Sequence, residues 1–496
     1  MGVRRLPGRR RNPFRTVHPA TTGRISLMPS KINVAVVGLG TCAQAVHLPM
    51  LQRRHDRFHL SAVVDISPRR LREAAEKWGM DEKRRYGSVK DLMAAVRSKD
   101  VELDAVVFSA DGVKGEDILQ IIKRGIPVLV EPPVAYGTEE LQAIAEFERM
   151  AGRPLVMLAY GALYDSSVRL LVDENQARDL RSLEFETLMP ASSVMHGKHH
   201  VTSAAYDLPS EQRIARRESL KEAVEKGAGP GANQRDRDIY VKGLLTGLLA
   251  QLALLRSTYG PLVELHGVRH WPEQVIPGSI EVLGALEKGV HVRLVWHYLP
   301  FAPEFHDAIR FVTNRRQGRV ELPHAADLDT RGSFTFTQKS DGAIVTSERL
   351  SEFSPAYGLH EAFYAFAAKG KEPAYGLTEA LEDLEVARAV LGELALVEGR
   401  DINAEPEPEP ESEGAGAEQE SRGHGAEARE GSTVVAENPL TETPIVSAPE
   451  PTEGEFEAVS SKGAEEGEVE ISEQSAPVQA ERSEAKNASG NEPSEA

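Results

Sequence analysis

A strand-length apolar run, INVAVV (residues 32–37), passes without a spacer into GLGTCAQ and then into an amphipathic helical stretch. This order constrains the fold more than any other feature of the chain. Gly38, Gly40 and Ala43 stand in a G-x-G-x-x-A arrangement. The first glycine allows a tight turn, the second lets backbone approach a pyrophosphate, and the small third residue permits close packing of helix on strand. Amides at the start of the helix then face an anion, which makes Thr41 and Cys42 candidate cofactor contacts together with the three small residues. Cys42 is otherwise expected only to fill space in the turn. The competing reading is a domain of the same shape that binds no nucleotide, since glycine turns are common.

Context favours the dinucleotide. Further β-branched apolar runs follow at 60–65, 103–110, 127–131 and 154–160, separated by amphipathic helical stretches such as SPRRLREAAEKWG and GEDILQIIKRG. Near-continuous apolar strands with helical crossovers predict a doubly wound parallel sheet covered on both faces, a Rossmann domain over residues 32–158. Asp65 ends the second strand, where a carboxylate accepts from the ribose hydroxyls and repels a 2′-phosphate, favouring NAD. Arg69 and Arg70 follow closely and keep NADP open, with Arg70 a candidate contact. Ser109 and Glu131, at later strand ends, complete the expected cofactor set.

The pattern changes after residue 158. A polar segment (191–236) precedes one long apolar helix, IYVKGLLTGLLAQLALLRS. Hairpin signals follow around Lys288-Gly289, Gln317-Gly318 and Asp341-Gly342. Two helices close this part, predicting an α+β domain with an open antiparallel sheet over 159–402. Residues 1–31 carry eight Arg or Lys and no acid, and residues 401–496 carry 25 acids against five bases, so the net charge of −18 belongs to a tail. That tail (403–496), rich in Glu, Pro, Ser, Gly and Ala, buries too little apolar surface to offset its ordering entropy and reads as disordered, with no partner specified. The basic start (1–31) also reads as a disordered extension. One cysteine excludes an internal disulfide and fits a reducing, cytoplasmic setting; organelle import through residues 1–27 is the alternative. No apolar run of the sequence reaches the roughly 18 residues needed to cross a bilayer, and neither a membrane nor a nucleic-acid partner is expected.

The fingerprint, HLPML, DISPRR, YGSVKDLM, the strand ending in Glu131-Pro132-Pro133, AYGALYD and the closing GLTEALEDLEVARAVLGELALVEGRDI together resemble the Gfo/Idh/MocA oxidoreductases over residues 32 to about 402. The resemblance implies NAD(P)-dependent redox chemistry on a sugar, cyclitol or similar small molecule, and oligomerisation through the open sheet face. It also implies an E-K-P lysine beside the reacting carbon. Here that position is Pro132, which has neither charge nor transferable proton.

Other positions implied by the resemblance have lost their cations as well. AYGALYD (159–165) lacks Lys or Arg, and the helical His-Asp slots hold Ala250 and Gln251. Replacement donors are Lys114, Tyr160 and Lys242, with Tyr164, Tyr240 and the histidines of HGKHH (His196, His199, His200) behind them. The histidines read as a surface loop and Lys242 as a snorkelling side chain; no metal site is expected. Glu131 is expected to cap its turn or accept from nearby amides. Two functional readings result: an NAD(P)-dependent oxidoreductase with a rebuilt donor set, acting on a sugar, cyclitol or imine, and a catalytically silent nucleotide-binding homologue with a regulatory or scaffolding role.

Overall fold

The computed structural model describes residues 30–201, 207–287 and 289–405, together with Arg4 and Arg5. Six strands form the first sheet: β1 (Ile32–Val37), β2 (Phe58–Val64), β3 (Arg85–Tyr86), β4 (Ala105–Phe108), β5 (Val128–Val130) and β6 (Val156–Leu158). Their order is β3-β2-β1-β4-β5-β6 and every pairing is parallel. Sequence order therefore reverses beside β1, which opens a crevice at the carboxyl ends of the strands. The apolar runs are continuous because both faces are covered: Val34, Ala35 and Val36 are all fully buried. The short β3 escaped the sequence pattern.

Helices α1 (Leu48–Arg53), α2 (Pro68–Lys77), α3 (Val89–Ser98), α4 (Gly115–Ile122) and α5 (Thr138–Ala151) link these strands. Ala35 and Val37 pack with Leu92, Ile118 and Ile144 of α3 to α5. Val34 and Val36 face the opposite way, onto Leu48 and Leu51 of α1.

Beyond β6 come α6 (Ser166–Glu174), β7 (Leu180–Met189), α7 (Ser192–His196), α8 (Ser210–Ala228), α9 (Gln234–Ile239) and α10 (Leu249–Tyr259). The segment read as polar contains the 19-residue α8, whose apolar periodicity is too weak to announce it. Between α9 and α10 the helix continues through a wider π-wound stretch, Tyr240–Leu248. The whole helix Gln234–Tyr259 is long and apolar enough to cross a membrane, yet 72% of its most apolar window is buried inside the protein. Its apolarity belongs to a core.

Strands β8 (Leu262–Trp271), β9 (Ser279–Leu286), β10 (His291–Tyr298), β11 (His306–Thr313), β12 (Arg316–Glu321), β13 (Ser333–Ser340) and β14 (Ala343–Leu350) join β7 in a second sheet. Its order is β8-β9-β10-β7-β11-β12-β13-β14, with Arg4 and Arg5 paired to the edge of β8. All pairings are antiparallel except β10 with β7. On β7 and β11, Leu183, Phe185, Ile309 and Phe311 are buried under helices, while Glu184, Arg310 and Val312 alternate onto the other, open face.

Two of the three hairpin turns lie where the sequence put them. The β9–β10 turn contains Gly289, though Lys288 lies outside the described residues, and the β13–β14 turn uses Asp341 and Gly342, both with positive φ. The third is corrected. Gly318 lies inside β12 opposite Phe311, where a Cβ would come within 2.2 Å of the Thr335 carbonyl, and the turn falls instead between Thr313 and Arg316. A glycine demanded by close packing had imitated a turn glycine.

Helix α11 (Pro355–Lys369) returns to the first sheet. Leu359 and Phe363 join the cluster around Val34 and Val36, and Phe363 stacks on Phe58 at 6.1 Å. Helix α12 (Leu377–Val397) packs in the cluster shared by α5 and the long helix. The disordered readings for the basic start and the acidic tail fall outside the described residues, apart from Arg4, Arg5 and the positions up to 405.

Candidate functional site

A cavity of about 230 Å³ opens at the carboxyl ends of β1, β4, β5 and β6. One wall comes from the parallel sheet: Gly40, Thr41 and Cys42 after β1, Ser109 and Ala110 after β4, Glu131 and Pro132 after β5, and Ala159 after β6. The opposite wall is built by Met189 and Pro190 at the end of β7, Leu245 and Thr246 of the long helix, Trp296 and Tyr298 of β10, and His196 and His324. Two π-wound stretches touch this cavity, Ala43–His47 through Val46 and Tyr240–Leu248 through Leu245 and Thr246. In the second, Thr246 Oγ1 donates to Val241 O at 2.7 Å, a hydrogen bond that occupies a carbonyl in the widened turn.

The glycines of the fingerprint serve different ends. Gly38 has φ +85°, and a Cβ there would lie 2.4 Å from the Ala110 amide nitrogen; it is required by the approach of two loops. A Cβ at Gly40 would meet nothing within 4 Å, and the residue lines the cavity. No packing of the protein itself excludes a side chain at Gly40. An empty cradle of this kind fits a pyrophosphate laid along the turn. Ala43 is fully buried against the sheet, as helix packing demands.

Asp65 holds the loop together. Its Oδ2 accepts from the Leu39 amide at 2.7 Å and its Oδ1 from the Ser67 amide at 2.8 Å. A carboxylate has about four lone-pair sites, so a ribose could still be accepted, but the acid first organises backbone. Arg70 lies in the first turn of α2, its amide donating to Ser67 Oγ; neither it nor Asp65 reaches the cavity wall.

Glu131 differs from its expected role. Its carboxylate receives side chains rather than amides: Oε1 lies 2.6 Å from His47 Nε2 and 3.2 Å from Cys42 Sγ. Burial pushes the Glu131 carboxyl up, but the hydrogen bond and charge of His47, with Cys42 and Lys114, outweigh it and hold the group below its ordinary value. Burial and the neighbouring Glu131 push the Cys42 thiol well up. Cys42 is therefore a cavity-wall group in contact with an acid and not mere filler.

His47 is in turn 3.2 Å from His360 Nε2, and His360 Nδ1 lies 2.7 Å from Ala356 O. His360 is wholly buried, and burial with the nearby His47 drives its pKa down to about 3. In the sequence, His47 lies within HLPML and His360 within the stretch that forms α11, and neither was assigned a role. They are 313 residues apart, and only the return of α11 onto the first sheet joins them.

Among the replacement donors, Lys114 reaches the site. It is buried on the cavity wall, where its Nζ donates to Glu131 O at 2.9 Å; burial lowers its pKa against the opposing pull of Asp111, Glu131 and Glu140. Tyr160 instead packs edge-on to Tyr375 at 5.6 Å, its phenol driven up by burial and by Asp383. Lys242 pairs with Asp238 at 3.1 Å. Neither lines the cavity. Tyr164 lies in a tight turn before α6, and Tyr240 is buried with its hydroxyl donating to Tyr136 O, so both are structural. Gln251 is buried, bonding Thr187 Oγ1 and Val295 O.

The histidine reading is corrected for one residue. His196 ends the short helix α7 and lies buried in the cavity wall, edge-on to His324 at 5.1 Å. Burial depresses both, His196 to about 4 and His324 to about 3, so both are neutral near pH 7. The helical periodicity of α7, 3.6 residues per turn and invisible in so short a segment, turns His196 inward. His199 is half-buried, and His200 ends its turn with φ +49°.

Residues 32–160 match an oxidoreductase family with an NAD-binding Rossmann fold, GFO_IDH_MocA. Inositol 2-dehydrogenase of Burkholderia ambifaria is 31% identical over 141 residues, which is 28% of this chain and 40% of that enzyme. The chain thus aligns with about two fifths of the length of such curated relatives. Among solved structures, UDP-N-acetylglucosamine 3-dehydrogenase from Acidithiobacillus ferrooxidans superposes with TM-score 0.51 at 15% identity, covering 73% of this chain and 100% of that one. A 3-ketoreductase from Actinomadura kijaniata, in complex with NADP, does so with TM-score 0.52 at 16% identity, covering 73% and 98%. These two likenesses concern the fold, and they extend it across both sheets. The sequence likeness to the Gfo/Idh/MocA oxidoreductases thus lies in the fingerprint-bearing domain, residues 32–160.

Proposed function

We propose that the protein is an NAD(P)-dependent oxidoreductase acting on a sugar, cyclitol or related small molecule, with a proton donor other than the missing lysine. The observation that carries this reading is the convergence, on one cavity, of the open Gly40 cradle, the buried Lys114 ammonium and the acid Glu131. A bound nicotinamide supplies or takes the hydride. The chain's own residues must manage the proton, because reduction of a carbonyl leaves an alkoxide that needs one.

Lys114 is suited to that task. Its burial moves its pKa toward the working range, and efficient proton transfer favours a group poised there. Its fixed bond to Glu131 O aims the Nζ at the strand end that also bears Pro132. Met189, Leu245, Trp296 and Leu359 make the far wall apolar, which strengthens the charges of Lys114 and Glu131 by excluding water. Tyr298 Oη, buried in this wall without a protein partner, is left for a hydroxyl of the substrate.

NAD over NADP is our finer assignment, supported by Asp65 at the end of β2 and by Asp207, whose carboxylate accepts from Ser67 Oγ at 2.8 Å and from the Arg69 amide at 2.8 Å. Two acids at the start of α2 oppose a 2′-phosphate. The decisive experiment is a turnover screen of inositols, nucleotide sugars and cyclic imines with each nicotinamide cofactor, read by near-ultraviolet absorbance alongside cofactor-induced thermal stabilisation. Stabilisation with turnover of one class supports the reading. Stabilisation without any turnover would instead favour a silent nucleotide-binding homologue.

A further inference from the structure

Three donor atoms of different kinds meet on the cavity wall. Cys42 Sγ and His47 Nε2 approach the same Glu131 oxygen at 3.2 and 2.6 Å, and the three atoms all lie within 4.8 Å of one another. They come from the fingerprint turn, the wide turn after it, and the end of β5. Cys42 and Glu131 both line the cavity, so the side of the cluster away from the protein faces open space.

The hydrogen bonds behind the cluster hold the His47 ring in place. His360 Nδ1 faces the Ala356 carbonyl, which only accepts, and Glu131 at the other end is an acceptor when ionised. The contacts Ala356–His360, His360–His47 and His47–Glu131 form one hydrogen-bonded chain that ends on the cluster.

We propose that this place is a transition-metal site, best matched to zinc, ligated by Cys42 Sγ, His47 Nε2 and a Glu131 carboxylate oxygen, with a fourth position open to the cavity. Mixed Cys, His and carboxylate donors suit a borderline-soft divalent ion, and three protein ligands with one open position are the pattern of reactive zinc sites. Metal binding would displace the Cys42 thiol proton and replace the direct contact between His47 Nε2 and Glu131. His47 then donates from Nδ1 to His360, and His360 to Ala356 O: an outer chain that fixes the ring orientation a metal needs. Nitrogen and oxygen ligands about 2.0–2.1 Å from a tetrahedral zinc sit roughly 3.3–3.4 Å apart, so His47 and Glu131, 2.6 Å apart here, need to separate by roughly 0.7–0.8 Å.

The role of the ion rests on the oxidoreductase reading: as a Lewis acid it would polarise a substrate oxygen, supplying the positive charge that Pro132 lacks. The site itself is testable without cofactor or substrate. Chelator-stripped, untagged protein receives one equivalent of Co²⁺. Because Cys42 is the sole cysteine of the chain, a near-ultraviolet thiolate-to-cobalt band assigns it directly, even should the variants fail to fold. We expect that band, one ion per chain, its loss in Cys42→Ser, and an affinity about 10–100-fold weaker in His360→Gln. No thiolate band in the parent, or equal affinity in Cys42→Ser and His47→Gln, overturns the site. Either result leaves the dinucleotide test of the preceding section unaffected, so the two readings fail separately.

Discussion

The two walls of the cavity were built under different rules. The parallel-sheet wall consists of strand ends, where the fold places a turn, an acid and a lysine at positions fixed by β1, β4 and β5. The facing wall consists of strand ends and helix surface from the second sheet, mostly apolar, with neutral His196 and His324 set into it. A cofactor with constant chemistry needs the first kind of wall. On the proposed reading, the substrate is met by the second. What the comparison teaches is that the same glycine, histidine or acid means different things on the two sides, and the expected effects below test that.

The largest effect falls on the first wall. Gly38→Val places a β-branched side chain at φ +85° and drives its Cβ into the backbone of Ser109 and Ala110. Folding should be lost or reduced by several kcal/mol, read as urea denaturation with and without cofactor. A variant that melts like the parent would show that the loop approach is not rigid.

Lys114→Met comes next, with turnover expected to fall about 10²–10⁴-fold while cofactor-induced stabilisation persists. Unchanged kcat moves the proton donor away from the first wall.

In the second sheet, away from the cavity lining, Asp307 of β11 is half-buried and accepts from Thr187 Oγ1 at 2.9 Å, which offsets little of its desolvation; its pKa rises from 3.8 to about 7. Folded protein therefore keeps this proton to about pH 7, whereas the unfolded chain releases it near 3.8. Stability from the protonated acid is complete below the lower value and is lost as pH rises through the upper one. Asp307→Asn should gain on the parent between pH 4 and 8, by about 4 kcal/mol at most, as a widening difference in melting temperature. A difference independent of pH removes Asp307 as the cause.

The smallest effect on stability is expected for Gly40→Ala. Its Cβ meets nothing and its φ is not left-handed, so the fold should change by less than about 1 kcal/mol. Cofactor affinity should nonetheless drop, by calorimetry, because the methyl fills the cradle. Retained affinity would relocate the dinucleotide.

Much of the first wall was legible. Strand periodicity and the Gly38, Gly40, Ala43 spacing are local signals, and five of the six strands of the first sheet follow from them. Lys114 was named through the family resemblance, not through a local signal. The second wall was hardly legible: β7 joins its sheet through a parallel partner, α8 shows almost no amphipathic period, and His196 turns inward on a five-residue helix. Gly318 shows the reverse failure, a local turn signal whose true cause was the Phe311 ring across the strand.

The sequence by itself determined the doubly wound sheet, the glycine turn and the absence of a proton at Pro132, because those depend on neighbours a few residues apart. Only tertiary structure decided that Cys42, His47, Glu131 and His360 would share one point. The separations of 84 residues between His47 and Glu131 and of 313 between His47 and His360 carry no periodic trace, and it is the burial of Leu359 and Phe363 against β1 that brings His360 to the others.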